Sequence, residues 1–152
     1  MIQKIIDFFK KLFGIKTEEP ASKTETAEKS YEKKALLTFT EIKFKNAIEK
    51  ALPNGYKLYP QINLASIIKR TDEHKYQNEL YRNVDFCVFN EKYIPQVIIE
   101  INDKTHNEKS RQARDYKVKD ICAKANIPLI TFWTDYGVNE SYIEKKINEV
   151  LK

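Results

Sequence analysis

The hydrophobic pattern changes twice along the chain. Ile2, Ile5, Ile6, Phe9, Leu12 and Phe13 recur at helical spacing, with Gln3, Lys4, Asp7, Lys10 and Lys11 on the other side. Such a stripe predicts an amphipathic helix within residues 1–16, with Gly14 as its stop. Residues 17–34, TEEPASKTETAEKSYEKK, are polar and almost without large apolar side chains. They bury too little surface to offset the entropy of ordering, so a disordered linker is expected there. Over residues 35–152 the pattern becomes that of a folded domain.

Within that domain the periods alternate between helix and strand. Thr38–Leu52 reads as a helix ended by Pro53-Asn54-Gly55, and Tyr56–Ile62 as a strand. A short helical turn over Ala65–Arg70 and a polar loop over Thr71–Glu79 follow. Asn83–Phe89 and Gln96–Ile101 are strands joined by a hairpin turn. Ser110–Asn126 is a helix, Pro128–Trp133 a strand, and Glu140–Leu151 a last helix in which Ser141 and Glu144 have capping-box spacing. The order α-β-β-β-α-β-α predicts an α/β domain with a mixed sheet, an antiparallel hairpin followed by a helical crossover to a parallel strand.

The hairpin carries the chemistry. In VDFCVF both faces are apolar, as in a central strand, and Asp85 is the only charge. In VIIEI, Glu100 shares a face with Ile98. A turn centred between Lys92 and Tyr93 would set Phe89 against Gln96, Cys87 against Ile98 and Asp85 against Glu100; a one-residue slip would separate the carboxylates. Facing side chains lie roughly 5 Å apart, where two negative charges repel by on the order of 3 kcal/mol at an effective dielectric of about 20. Two remedies exist. One is a shared proton or a paired Arg or Lys, as in a buried ion-pair network; the other is a divalent cation held by oxygen ligands. The burst Asn102, Asp103, Lys104, Thr105 and His106 directly after the strand offers more polar groups than a structural network needs, which favours the cation.

Composition narrows the classes. Lys and Arg number 27 against 22 Asp and Glu, a net charge of +5. Residues 35–152 carry +3 of it, which permits a polyanionic partner without demanding one. Three glycines leave no Gly-rich phosphate loop or dinucleotide fingerprint, and two Cys and two His are too scattered for a zinc site. Cys87 and Cys122 sit in apolar runs and read as core thiols of a cytoplasmic protein.

The flanking helices point at the same place. Val118, Ile121, Cys122 and Ala125 form an apolar stripe that becomes Arg111, Arg114 and Asp115 toward the helix start. Either these charges sit over the polar end of the preceding strand, or they are simply exposed at the helix start. Glu41 aligns with Phe44, Ile48 and Leu52, and equally forms a Thr38-x-x-Glu41 capping box.

The order α-β-β-β-α-β with Asp85 and Glu100 across a hairpin resembles the PD-(D/E)XK nuclease superfamily, the restriction-endonuclease-like fold. LLTFTE at Leu36–Glu41, VDF at Val84–Phe86, EINDKTH at Glu100–His106 and RxxRD at Arg111–Asp115 resemble a bacterial family of nuclease-like domains related to the very-short-patch-repair endonuclease branch. The resemblance implies an αβββαβ core with an added C-terminal helix. It implies Asp85 and Glu100 as ligands of Mg²⁺ (or Mn²⁺), Asp103 as a further ligand and Glu41 as an accessory acid. Asn102 stands where the superfamily has a lysine, and an amide cannot stabilise developing phosphorane charge as a cation does. Lys104, Arg111 and Lys119 are the substitutes in reach, and His106 is a candidate general acid or base. Arg114 joins these cations in neutralising a nucleic-acid backbone, and Asp115 supports the ligands from behind. The expected activity is hydrolysis of DNA or RNA phosphodiesters; the alternative is a nuclease-fold module that binds without cleaving. Residues 1–14 are expected to lie on an anionic membrane surface at the inner face of the cell membrane, or to dock on protein.

Overall fold

The computed structural model describes residues 30–73, 78–103 and 109–151, the side chains of residues 109–111 excepted. The chain divides into two units, Met1–Lys34 and Ala35–Lys152. Of the first, residues 30–34 are described, exposed and without regular secondary structure. The amphipathic stretch 1–16, with Ile2, Ile5, Ile6, Phe9, Leu12 and Phe13, lies outside the described residues.

The second unit is an α/β fold with α1 (Phe39–Ala51), β1 (Lys57–Asn63), β2 (Asn83–Phe89), β3 (Pro95–Asn102), α2 (Lys109–Lys124), β4 (Leu129–Trp133) and α3 (Glu140–Val150). The four strands form a mixed sheet in the order β1-β2-β3-β4. The first two pairings are antiparallel and β3–β4 is parallel. Pro60 lies in the edge strand β1, where a missing N–H costs least.

Helix α1 starts where Thr38 accepts the Glu41 N–H at 3.2 Å while the Glu41 carboxylate accepts the Thr38 N–H at 2.5 Å. This reciprocal box satisfies two donors that the helix itself leaves open. Helix α3 is capped by Asn139, whose Oδ1 accepts the Tyr142 N–H at 3.0 Å. The expected Ser141–Glu144 box does not form the cap, because Asn139 is an equally good capping residue and starts the helix earlier. The helical turn expected over Ala65–Arg70 is confined to a 3₁₀ turn at Leu64–Ser66. Ile67 and Ile68 beyond it pack against the core instead. A second 3₁₀ turn, Asn78–Leu80, occupies the end of the expected loop and buries Leu80.

The sheet has two apolar faces. Phe86, Val88, Val97, Ile99, Ile130 and Phe132 pack under α1 and α3, which contribute Phe44, Ala47, Ile48, Ile143 and Ile147. Cys87, Phe89 and Ile98 on the other face pack under α2, through Val118, Ile121 and Cys122. Period-two alternation in β2 and β3 thus feeds both layers, as expected for strands buried on both sides.

The hairpin register holds at Cys87↔Ile98 and slips by one at its turn, where Phe89 faces Pro95 rather than Gln96. The irregularity lies between Val88 and Phe89. Asn90 causes it locally: its Oδ1 accepts the N–H groups of Lys92 and Ile94, both at 3.0 Å, and Tyr93 takes a left-handed φ of 57°. The slip is absorbed at the turn end, so the far end keeps the register that brings Asp85 to Glu100.

Candidate active site

The ladder between β2 and β3 runs inward from the turn to Phe86↔Ile99. Just beyond its end come Asp85 and Glu100, close enough for the Asp85 charge to act on the Glu100 carboxyl. There a side chain takes over from the backbone: Asp85 Oδ2 accepts the Ile101 N–H at 2.7 Å. Asp85 therefore serves two ends, closing the sheet and presenting a carboxylate to Glu100.

Burial pushes the Glu100 carboxyl up to about 8, with the negative charge of Asp85 and a side-chain hydrogen bond to Asp85 adding to it. The Asp85 backbone and the charge of Arg114 pull the other way. With its pKa near 8, the Glu100 carboxyl keeps its proton at neutral pH. The same burial acts on the neighbouring thiols. Cys87 is pushed up to about 12, with the charge of Cys122 adding, and Cys122 to about 11, with that of Glu100 adding. Both cysteines are buried and free, and as neutral thiols they are poor nucleophiles.

Glu100 opens onto a cavity of about 210 Å³ lined also by Asn102 from β3, Thr131 and Trp133 from β4, and Asp115 and Lys119 from α2. The parallel pairing builds it by setting Glu100 beside Thr131 and Asn102 beside Trp133. Helix α2 covers the apolar part of this face with Val118, Ile121 and Cys122. Its earlier turns carry Arg114, Asp115 and Lys119, which are exposed. Asp115 and Lys119 still line the cavity, and Arg114 is near enough to stabilise the Glu100 carboxylate. Arg114 and Asp115 are thus solvated, and Asp115 also lines the cavity at the polar end of β3.

Other candidates are not brought in. Asp103 is exposed just past β3 and does not line the cavity. Glu41 is engaged in the α1 capping box, on the helix that packs on the opposite face of the sheet. Lys104 and His106 lie outside the described residues, as does the side chain of Arg111 in α2. Thr131, Tyr116 and Trp133 are lining residues that sequence reasoning missed. Thr131 had a signal, being the one polar residue in LITFW, but its partner depends on a parallel register that no turn specifies.

Among the described residues no three His, Cys, Asp or Glu side chains gather into a group able to hold a metal on their own. The donor chemistry nevertheless suits Mg²⁺ or Mn²⁺. These cations favour hard oxygen ligands, and Mg²⁺ is commonly held by one or two carboxylates, with water and substrate phosphate completing the shell. Asp85 and Glu100 supply two carboxylates, and Asn102 an amide oxygen beside them.

Residues 33–151 match the family described as "Protein of unknown function (DUF2726)". The chain belongs to this family. The match runs from before α1 to the end of α3 and so includes every residue of the site. A Haemophilus influenzae protein titled "Uncharacterized protein" is 25% identical over 113 residues, 72% of this chain. The chain spans 60% of the length of that relative. No solved structure matches this DUF2726 chain.

Proposed function

We propose that this DUF2726 domain is a metal-dependent phosphodiesterase acting on nucleic acid, built on the PD-(D/E)XK plan that its sequence resembles. The observation that carries the reading is the meeting of Asp85 and Glu100 near the ends of β2 and β3, with Glu100 opening onto a cavity that Lys119 also lines. A protein core gains nothing from two carboxyls pressed together, whereas a cation-binding site requires them.

Asp85 and Glu100 would hold Mg²⁺ or Mn²⁺, with Asn102 as a neutral oxygen donor. A bound ion of this kind supplies Lewis acidity toward a phosphoryl oxygen and acidifies water. Lys119 and Arg114 offset the backbone charge of the substrate, a contribution that carries no sequence readout. Lys104, Arg111 and His106 are proposed from the sequence to add cations and a proton-transfer group. Asp85 is held by the Ile101 N–H and so keeps its orientation without substrate.

The test is turnover of mixed DNA and RNA substrates by the full chain with Mg²⁺ or Mn²⁺. Cleavage that disappears in Asp85→Ala supports the assignment; cleavage that survives it removes Asp85 from the chemistry. Asn102 favours a second reading, a nucleic-acid-binding module without catalysis. Salt-sensitive binding with no divalent-ion binding would select that reading.

Among the described residues no helix is long and apolar enough to cross a membrane. From the sequence of residues 1–14, six large apolar side chains with Lys4, Lys10 and Lys11, we infer reversible attachment to anionic membrane surfaces. Flotation with anionic liposomes, comparing the full chain with one beginning at Lys33, decides it: equal flotation of both, or none of either, removes the membrane role.

A further inference from the structure

A second cavity, of about 310 Å³, opens at the same end of β4 and is aromatic rather than polar. Phe44 and Phe132 form its floor, and Trp133, Tyr136 and Tyr142 its rim. The floor is fixed, since Phe132 stacks on Phe44 with ring centroids 6.1 Å apart and takes the Tyr142 ring edge-on at 6.2 Å. The rim is open: Trp133 is 38%, Tyr136 72% and Tyr142 49% exposed. Gly137, at φ 63°, has open space beside its α-carbon out to 4 Å. No carboxylate is among its lining residues; besides the polar tips of Trp133, Tyr136 and Tyr142, the amide of Asn139 lines it.

One residue belongs to both cavities. Trp133 lines the aromatic cavity and also the polar one that contains Glu100, Asn102 and Lys119. Its neighbour across the sheet is Asn102, one strand spacing of about 4.8 Å away. The floor residues Phe44 and Phe132 belong to the α1/α3 face of the sheet and Glu100 to the α2 face, so the two cavities meet at Trp133, the last residue of the edge strand β4, and a ligand that reaches both passes round that end. In a nucleic acid the aromatic ring nearest a phosphate is a base, carried on the intervening sugar. The volume is at the low end of the range for small-molecule pockets, about 300–1,000 Å³, which admits a planar ring and excludes a helix or a duplex.

We propose that the Trp133–Tyr136–Tyr142 cavity is a base-stacking subsite, which makes the substrate of the adjoining site a nucleic-acid strand with unpaired bases. The proposal rests on the phosphodiesterase reading for the phosphate position, while stacking itself requires no turnover. A base inside a duplex has both faces covered by its neighbours, so a single strand, or a frayed end, enters at lower cost.

Trp133 is the only tryptophan in the chain, so its emission reports the subsite directly. The experiment titrates the full chain, in EDTA to prevent cleavage, with a single-stranded oligonucleotide, an abasic oligonucleotide of equal length and charge, and the matching duplex. Quenching by the single strand is expected, with little from the abasic strand and about tenfold weaker binding of the duplex. Tyr142→Ala should weaken single-strand binding about tenfold, within the range for one stacked base, and leave abasic binding unchanged. Tyr142→Phe keeps the ring and should restore affinity, which separates stacking from a folding defect. Equal quenching by the abasic strand, or unchanged affinity in Tyr142→Ala, overturns the subsite. Quenching without any turnover in Mg²⁺ or Mn²⁺ leaves the subsite standing and removes the phosphodiesterase; turnover without quenching does the reverse.

Discussion

The two faces of the sheet share strands and differ in how they end. Under α1 and α3 the face is apolar along its length, from Val97 through Ile99 to the partly buried Ile101 in β3, and from Ile130 to Phe132 in β4. Under α2 it begins the same way, with Cys87, Phe89 and Ile98, and then turns polar at Asp85, Glu100, Thr131 and Asn102. Alternation in a single strand therefore divides labour: odd positions of β3 hold the domain together, and even ones pass from core to site. The first face explains why the site can exist, because a carboxylate pair that destabilises one layer is offset by the packing of the other.

The largest effect should come from the apolar face. Phe86→Ala removes a side chain with no solvent exposure and should cost about 3–5 kcal/mol, read by denaturant unfolding. A loss below about 1 kcal/mol would mean that this face is not the main source of stability.

On the other face a substitution should stabilise. Glu100 has its folded pKa raised to about 8 from an ordinary value of 4.5. The stability it contributes is complete below the ordinary value and is lost as pH rises through about 8. Glu100→Gln keeps a donor toward Asp85 and carries no charge. Without metal, the melting temperature of this variant should exceed that of the parent by several degrees at pH 9 and match it near pH 4. A pH-independent difference would show that burial does not disfavour the Glu100 charge.

Lys119→Ala should change stability least, by roughly 0.5 kcal/mol or less, because the residue is exposed. Nucleic-acid binding should still weaken, and the slope of log affinity against log salt should fall by about one. An unchanged slope would remove Lys119 from the phosphate path.

Much of this arrangement was legible in the sequence because it depends on local chemistry. The Thr38–Glu41 box, the helical stripe Val118-Ile121-Cys122 and the doubly apolar strand around Asp85 each follow from spacing alone. What could not be read is longer-range. The register slip at Phe89 comes from Asn90 hydrogen-bonding its own turn, which competes with the two-residue turn that simple pairing assumes. Thr131 and Trp133 join the site through parallel pairing with β3, set by packing of α2 rather than by any turn. Glu41 shows the opposite case: its motif admitted two roles, and the structure shows the capping one.

The most direct measurement on the carboxylate pair is calorimetric titration of the metal-free full chain with Mn²⁺ at pH 8, beside Asp85→Asn. A cation site at Asp85 and Glu100 predicts saturable binding in the parent, accompanied by proton release as Glu100 gives up its proton, and loss of both signals in the variant. Mn²⁺ binding of equal strength in Asp85→Asn, or none in the parent even with an uncleavable oligonucleotide present, contradicts it.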